Sequence, residues 1–392
     1  MSNKKVIQYG AHFIDDSDIE AVNSVLRSDA ITQGSTDVKF GEKLTEFTGA
    51  PFAVPVSSGS AALHLALAAI GIQKGDEVIT CPLTFCATAN AILYQDGTPV
   101  FVDIDPQTLN IDWQKIEEKI TPQTKAIMPI DFRGHPAPLV EIGRVAAKYG
   151  LKVIEDAAHS IGSSYTNGNR SYHCGDVKHA DLATFSFHPV KHITTGEGGA
   201  VMIRDEKLFK SVFNMKKHGI DRRPEMFDEK KRIGSWYYDM ESLGFNYRLT
   251  DFQSALGIQQ LTRIKAVKRR RREIVQQYDK LLQEIEEFTL PYEEAHVDSN
   301  FHLYIIRVKP NKRFDRYDLY NYLQEQSIRV MVHYIPVHLL SYYRQRFGYK
   351  PGDFPIVEKY YEQALTLPLY PQMSDADVLR VVSEIKTFIA SR

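Results

Sequence analysis

The sequence is poor in cysteine and lacks both long apolar runs and an excess of charge of either sign. Cys81, Cys86 and Cys174 are the three cysteines among 392 residues, and no two have the CxxC spacing of a zinc site or redox motif. A disulfide framework is therefore not predicted. The net charge of −1 gives no electrostatic reason to expect nucleic acid or an acidic membrane surface as a partner. Without a membrane-length apolar stretch or a signal-peptide run, a cytoplasmic location is the default expectation.

One lysine stands between an apolar run and a glycine-rich turn. Residues 185–200 read FSFHPVKHITTGEGGA, in which the lysine is Lys191. Such a lysine would lie desolvated at the floor of a cleft, where its amine can form a Schiff base. The glycines would let a flat cofactor or substrate approach the backbone closely. A lysine in an ordinary polar loop would give the same local pattern, so other segments have to decide between these interpretations.

Two further segments supply the other groups needed to bind pyridoxal 5′-phosphate (PLP). Residues 151–156 (LKVIED) predict a buried strand ending in Asp156, and an acid at the carboxyl end of such a strand points into the ligand crevice. Residues 53–67 (AVPVSSGSAALHLAL) predict a strand, a Ser/Gly turn and a helix whose amino end suits a phosphate. A lysine for a Schiff base, an acid for a ring nitrogen and a helix terminus for a phosphate together predict PLP as the cofactor.

These segments resemble the DegT/DnrJ/EryC1/StrS sugar aminotransferases, which are PLP enzymes of fold type I. The resemblance runs from Tyr9 to the C-terminal helix. It is carried by residues 32–34 (TQG), 57–63 (SSGSAAL), 84–85 (TF), 155–159 (EDAAH), 185–199 and 244–257 (GFNYRLTDFQSALG). It implies a PLP-dependent aminotransferase that takes its amino group from L-glutamate and acts on a sugar nucleotide.

The expected mechanism gives each cofactor-binding residue a role. Lys191 would carry the cofactor and then move the proton between the donor α-carbon and cofactor C4′, and Asp156 would keep the pyridine nitrogen protonated. Ser60, the N–H of Ala61 and Ser186 would hold the phosphate. No metal is expected.

The resemblance itself adds further contacts. It implies that Phe85 stacks on the pyridine ring, that His159 lies near the ring hydroxyl, and that Asn246 reaches the phosphate from a second subunit, so that a homodimer shares its active sites. Six residues match family positions that line the sugar-nucleotide cleft: Tyr9, Thr32, Gly59, His218, His333 and Tyr334.

The substrate is predicted from the form of three segments. Residues 186–191 (SFHPVK), 332–338 (VHYIPVH) and 341–348 (SYYRQRFG) are most similar to the transaminases that form UDP-4-amino-4,6-dideoxy-N-acetyl-β-L-altrosamine for pseudaminic acid. The substrate would then be a UDP-4-keto-6-deoxy-hexosamine. The transaminases that make UDP-4-amino-4-deoxy-L-arabinose also have SFH before their lysine, so this sugar and other 4-amino sugars stay open.

Other interpretations of the same residues are weaker. The glycines of residues 196–199 lack the GxGxxG spacing, and Lys191 precedes them where a P-loop lysine would follow. Pro189 separates His188 from His192, so a helical metal pair is not expected. A non-catalytic PLP sensor would be expected to lack Lys191 or the acid, and the family's sugar dehydratases carry histidine in place of the lysine. The basic run at residues 268–272 (KRRRR) is expected to be a solvated helix face.

The predicted fold class is α/β, of the fold type I kind. Residues 15–28 indicate a capped amphipathic helix, and continuously apolar strands alternate with helices between about residues 38 and 215, which predicts a mostly parallel sheet. A long helix is expected from residue 250 to about residue 287, with later strands at residues 303–308 and 329–333. Residues 1–265 would form a large PLP-binding domain with its sheet between helices, and residues 266–392 a smaller α+β domain.

Overall fold

A seven-stranded, mostly parallel sheet lies at the centre of the computed structural model, which describes residues 5–221 and 234–392. In spatial order its strands are β1 (Phe52–Val56), β9 (Gly199–Ile203), β8 (Leu182–Ser186), β5 (Lys152–Asp156), β4 (Thr124–Ile127), β2 (Glu77–Thr80) and β3 (Thr98–Phe101). Strand β9 is antiparallel to both of its neighbours, and the other adjacent pairs are parallel. The carboxyl ends of the parallel strands therefore meet at one edge of the sheet.

Helices surround this sheet and follow it along the chain. Their bounds are α1 (Asp16–Leu26), α2 (Ser35–Thr48), α3 (Gly59–Ala69), α4 (Cys86–Tyr94), α5 (Leu139–Tyr149), α6 (Glu206–Met215), α7 (Asp251–Thr262), α8 (Ile264–Leu282), α9 (Arg316–Glu325), α10 (Ser341–Phe347), α11 (Pro355–Gln363) and α12 (Asp375–Ala390). Within the described ranges, no helix combines the length and the apolar character needed to cross a bilayer.

Strand β9 shows why the sheet strands are continuously apolar. Val201 and Ile203 pack into one core with residues of α3 and α6, whereas Ala200 and Met202 pack into another core with residues of α2. Because successive side chains of a strand point to opposite faces, both faces of this strand are buried. The continuous apolar pattern that predicted a parallel sheet thus arises because the two faces of the sheet pack into separate cores.

The C-terminal part of the chain builds a second, smaller α+β unit. A three-stranded antiparallel sheet has the order β12 (Phe288–Thr289), β14 (Tyr304–Val308) and β15 (Ala364–Leu367). Its core contains residues of α8, α9 and α12 together with Ile7 from the N-terminal segment. The remaining short strands are β6 (Ser164–Asn167), β7 (Arg170–His173), β10 (Ile220–Asp221), β11 (Asp239–Met240) and β13 (Val297–Asp298). The domain boundary at residue 265 stays a prediction.

Helix α1 matches the helix predicted at residues 15–28 but is shorter, and Asp15 caps it. The long helix predicted from residue 250 is wrong, because α7 ends and α8 begins on either side of Arg263. No glycine or proline marks this break in the sequence. Arg263 forms ion pairs with Asp15 and Asp18 of the α1 region, and these fix its position between the two helices.

Two further predictions are corrected by long-range contacts. Residues 329–333 do not form a strand: Met331 makes an isolated bridge to Thr366, and the His333 side chain then turns to the Thr366 hydroxyl. The basic run at residues 268–272 is not wholly solvated. Arg271 is buried and donates to the carbonyls of Phe301 and His302, and these bonds compensate part of the cost of burying its charge.

Candidate active site

A cavity of about 450 Å³ opens where the carboxyl ends of β5 and β8 meet the amino ends of α3 and α4. Four different segments of the central sheet and its loops thus contribute to one enclosed space. Ten of the residues predicted for the site line it: Tyr9, Gly59, Ser60, Phe85, Asp156, His159, Ser186, Lys191, His333 and Tyr334.

Lys191 lies in the loop after β8, held by a turn in which its N–H donates to the His188 carbonyl at 2.8 Å. Its side-chain amine has no hydrogen bond or ion pair with any residue in the described parts of the chain. Burial lowers the pKa of this amine to about 8, and the Asp156 carboxylate opposes the change. A lysine in this state has a large neutral, nucleophilic fraction near neutral pH.

Asp156 ends β5 and is almost completely buried. Its Oδ2 accepts from the Thr88 hydroxyl at 2.7 Å, and its Oδ1 accepts from the Ala158 N–H at 3.2 Å. Burial raises the pKa of the carboxyl, whereas Thr88, Ala158 and Lys191 lower it. Each oxygen keeps a free lone pair, so the carboxylate can also accept from a cationic N–H in the cavity.

The amino end of α3 offers backbone donors beside these two charges. Ser58 caps the helix: its Oγ accepts from the Ala61 N–H at 3.1 Å, and its carbonyl accepts from the Ala62 N–H at 3.0 Å. The N–H groups of Gly59 and Ser60 have no partner among the described residues. Free N–H groups and hydroxyls at the positive end of a helix form an anion site. The predicted donor Ala61 is thus engaged by Ser58, and the open donors precede it.

Glycine at position 59 lets α3 touch the end of β8. A Cβ on Gly59 would lie 2.8 Å from the Ser186 Cβ, a distance that real Cβ atoms essentially never show. The helix terminus and the Ser186 hydroxyl therefore lie on the same wall of the cavity. A phosphate placed there would be reached from two sides, by the backbone of α3 and by the hydroxyls of Ser60 and Ser186.

Neutral imidazoles and phenols form another part of the wall. The His159 Nε2 lies 3.2 Å from the Tyr334 hydroxyl, and its ring packs against His302 in a tilted arrangement at a centroid distance of 4.4 Å. Burial, followed by the charge of Lys191, lowers the pKa of His159 well below its usual range, and the same two causes lower that of His333 to about 4. At neutral pH these rings therefore carry no charge that would compete with the lysine.

Phe85 is the N-cap residue of α4, and 59% of its surface is exposed. Its ring lies 6.0 Å from the Tyr334 ring, centroid to centroid. An exposed phenylalanine on a cavity wall offers its face to a flat ring, with which offset stacking is favourable.

Besides Ala61, three predicted substrate or cofactor residues do not line this cavity. Thr32 makes an isolated bridge with Thr250, and Asn246 makes one with Lys217. The N–H of the third, His218, donates to the Phe245 carbonyl at 2.8 Å. All three are therefore grouped around the loop that precedes α7, away from Lys191.

The cavity residues that were not predicted for the site include Thr84, Thr88 and His302. Thr88 lies in the first turn of α4 and Thr84 just before the N-cap residue Phe85, and threonines at such positions are too common to indicate a site. His302 comes from the segment before β14 and reaches the cavity through tertiary contacts alone. No local signal distinguishes it from an ordinary core histidine.

Another buried cluster lies beneath the cavity. Among the described residues, Asp131, Glu155 and Cys174 place possible ligand atoms within 4.8 Å of one another. Burial, followed by the charge of Asp131, raises the pKa of Glu155 well above its usual range, and the two carboxyl groups are hydrogen-bonded. The Ser160 hydroxyl and the Ala137 N–H donate to Asp131 at 2.5 and 2.7 Å. The cluster is therefore a proton-sharing carboxyl pair with internal partners.

The donor set fits PLP. An amine without a partner suits the aldehyde carbon, a buried carboxylate suits the ring nitrogen, and an open helix terminus beside Gly59 suits the phosphate. These are different chemical groups in one cavity, and each matches a different part of the cofactor.

Comparison with known proteins agrees with this geometry. The DegT/DnrJ/EryC1/StrS aminotransferase family matches residues 12–386 of the chain. Over 385 residues the chain is 39% identical to the spore coat polysaccharide biosynthesis protein SpsC of Bacillus subtilis, covering 98% of this chain and 97% of that protein. Among solved structures, it is similar to PseC of Helicobacter pylori, an aminotransferase involved in the biosynthesis of pseudoaminic acid, with a TM-score of 0.90, 30% identity and coverage of 99% and 100%.

A second solved structure bears on the cofactor. Spr1654 of Streptococcus pneumoniae in its PLP form has a TM-score of 0.90 and 29% identity to the chain, with 99% of each chain covered. The predicted α/β fold class, the aminotransferase activity and the PLP cofactor are confirmed at the level of the family. The chain belongs to the DegT/DnrJ/EryC1/StrS aminotransferase family.

Proposed function

We propose that the cavity transfers the amino group of L-glutamate to C4 of a UDP-4-keto-6-deoxy-hexosamine, giving UDP-4-amino-4,6-dideoxy-N-acetyl-β-L-altrosamine for pseudaminic acid. The observation that carries the transfer chemistry is the amine of Lys191, free of partners and with a pKa lowered to about 8, in one cavity with the buried Asp156. The likeness to PseC supports the choice of sugar. A cytoplasmic location stays a prediction.

When bound, PLP supplies an aldehyde carbon and a ring that withdraws electrons from the reacting carbon. The chain supplies the proton movements. Lys191, partly neutral near pH 8, takes a proton from the donor α-carbon and returns it at cofactor C4′, and the reverse sequence delivers nitrogen to the sugar. Asp156 holds a proton on the ring nitrogen, because an adjacent carboxylate raises the affinity of that nitrogen for its proton.

The remaining walls orient the cofactor. The N–H groups of Gly59 and Ser60, with the hydroxyls of Ser60 and Ser186, bind the phosphate; Ala61 completes this helix end with its N–H held by Ser58. Phe85 would pack on the face of the ring. His159, kept neutral by burial and oriented by the Tyr334 phenol, would lie near the ring hydroxyl.

We assign the contacts to the sugar nucleotide partly to residues that line the cavity and partly to residues of a neighbouring subunit. Tyr9, His333 and Tyr334 line the cavity itself. Thr32 and His218, expected to contact the sugar nucleotide, and Asn246, expected to contact the cofactor phosphate, are grouped elsewhere. This is consistent with their reaching the cavity of a second copy in a homodimer. Exposed apolar side chains lie beside that group, with Trp236 74% and Leu243 79% exposed. Residues of this kind are typical of surfaces that become buried against a partner.

A different 4-amino sugar is the second candidate, including UDP-4-amino-4-deoxy-L-arabinose. The observation that favours a product other than a pseudaminic acid precursor is the 39% identity to a protein of spore coat polysaccharide biosynthesis. The cavity walls proposed for cofactor chemistry would be the same in both cases. The choice of sugar then depends on the residues around the 4-keto sugar.

The lowered pKa of Lys191 predicts its reactivity in the cofactor-free protein. Acetylation of Lys191 should reach half its maximal rate near pH 8, because burial lowers the pKa of this amine to about 8. Since the Asp156 carboxylate raises that pKa, Asp156→Asn should move the half-maximal rate to lower pH. Competitive labelling read by peptide mass spectrometry measures both. Glu197→Gln, which removes a different cavity carboxylate, is the control and should leave the profile unchanged. A midpoint near 10.4, the ordinary value for lysine, would contradict the prediction.

Isotope transfer tests the proposed reaction. With ¹⁵N-labelled L-glutamate and a panel of UDP-4-keto sugars, the label should appear at C4 of the 6-deoxy-hexosamine, as read by mass spectrometry and NMR. Lys191→Ala should reduce the rate by at least roughly 10²–10⁴-fold, the usual contribution of a proton shuttle. Preferential labelling of the 4-keto pentose would support the second candidate, and absence of label in every sugar would refute both.

Subunit mixing tests the shared site. Lys191→Ala and Asn246→Ala are each expected to be impaired, but a mixed dimer has one site with both residues intact. An equal mixture should recover about a quarter of wild-type activity, since half the dimers are mixed and each has one such site. Mixing Lys191→Ala with Asp156→Asn is the control, because both residues belong to the same cavity and no intact site can form. Equal behaviour of the two mixtures would show that Asn246 does not act across subunits.

A further inference from the structure

Two threonines at the start of α4 connect to Asp156 through their hydroxyl groups. Thr84 and Thr88 are 3% and 1% exposed, and both line the cavity. Their Oγ1 atoms are 2.7 Å apart, and the Oγ1 of Thr88 is 2.7 Å from Oδ2 of Asp156. Both distances are typical of hydroxyl hydrogen bonds. The two hydroxyls and the carboxylate therefore form a continuous buried chain.

The direction of this chain follows from the ionised carboxylate. A carboxylate can only accept, so Thr88 must give its single hydroxyl proton to Asp156. The hydrogen bond between the threonines then has Thr84 as donor and Thr88 as acceptor. Successive hydrogen bonds of this kind polarise one another and strengthen the last one, here the bond to the carboxylate. A protonated, neutral Asp156 would not impose this direction.

Few charges near Asp156 favour its ionised form. Lys191 is the cation that lowers its pKa, whereas the nearby Asp131 raises it. Tyr334 and Cys81 also face the carboxylate. Burial, and to a smaller extent the charge of Asp156, raises the pKa of both, so they stay neutral. Burial is the largest influence and raises the pKa of Asp156. Hydrogen bonds therefore contribute as much as nearby charge to keeping Asp156 ionised against the effect of burial.

Among the groups that oppose burial, the hydroxyl of Thr88 has the largest effect, ahead of the Ala158 N–H and the Lys191 amine. The hydroxyl is also fixed in direction, because Thr88 lies in the first turn of α4. Phe85 caps the same helix and lines the same cavity. One helix end thus places both an aromatic wall and a donor to the buried acid.

We propose that Thr88, supported by Thr84, is a positioning residue that keeps Asp156 ionised and aimed at the ring nitrogen of the bound cofactor. The inference rests on the proposed function, in which Asp156 holds a proton on that nitrogen. Thr88 acts through Asp156 rather than on the substrate. Its loss should therefore change the pH range in which the cofactor ring is protonated, and not merely the rate of turnover.

Thr88→Val tests the inference, because it removes the hydroxyl at nearly constant volume. The pH midpoint of the visible absorption of bound PLP on the acid side should move up by about one unit, since loss of a hydrogen bond to a charged group favours neutral Asp156. At neutral pH, kcat/KM should fall roughly 10–100-fold and PLP should bind the apoprotein more weakly. Thr88→Ser, which keeps the hydroxyl, should return both readouts toward those of the parent.

Two further variants make the test specific. Thr84→Val should shift the midpoint in the same direction but by less, because it removes only the second bond of the chain. Thr184→Val is the matched control: Thr184 is buried on β8 directly opposite Asp156, but its hydroxyl contacts only the Glu155 carbonyl, at 3.5 Å. It should titrate like the parent. Should Thr88→Val fail to fold, as judged by circular dichroism, the pH midpoints of Thr84→Val and Thr88→Ser still test whether the hydroxyl chain controls Asp156.

The outcomes separate this inference from the proposed function. If the parent protein does not carry PLP on Lys191, the proposed function fails. If the parent carries PLP there but Thr88→Val, or in its place Thr84→Val, titrates like the parent, the hydroxyl chain is overturned while the proposed function stands. A shift as large in Thr184→Val would show that packing around β5 and β8, rather than the hydroxyl, controls the carboxyl group.

Discussion

Lys191 and Asp156 are buried in one cavity at the same edge of the central sheet, and each charge makes burial of the other less costly. Burial lowers the pKa of the amine and raises that of the carboxyl group, and each group opposes the shift of the other. An isolated buried charge would neutralise instead. The site therefore requires both groups together, and the parallel strands supply the geometry because their carboxyl ends converge.

Two features of the surrounding structure support Lys191 and Asp156: the close approach of α3 to β8, and the neutral polar groups on the cavity wall. Gly59 allows the end of α3 to touch β8, so that a phosphate site lies beside the lysine. Arg271 donates a hydrogen bond to the carbonyl of His302, and the His302 ring packs against that of His159. Burial keeps His159, His302 and His333 uncharged at neutral pH, so these rings do not add charge beside Lys191. Lys191, whose lowered pKa lets it gain and lose a proton near neutral pH, suits a step in which it accepts a proton and then donates it.

The parts of the site that lie at strand ends could be predicted from the sequence. Asp156 follows from a buried apolar run that ends in an acid, and this run forms the predicted strand β5. Contacts between distant segments could not be predicted, because no local pattern encodes them. The break between α7 and α8 depends on ion pairs of Arg263 with the α1 region. The segment around Met331 forms a bridge to Thr366 instead of a strand. Likewise, no local pattern indicates that Asn246 pairs with Lys217 outside the cavity of Lys191.

The central claim is that this cavity binds PLP through Lys191, with Asp156 facing the ring, and covalent mapping tests it most directly. The purified protein is loaded with PLP, reduced with sodium borohydride, digested and examined by mass spectrometry. The account predicts that the cofactor mass is found on the peptide containing Lys191, and that Lys191→Ala takes up none in this way. Attachment to a different lysine in the wild-type protein, or no covalent attachment at all, would contradict it.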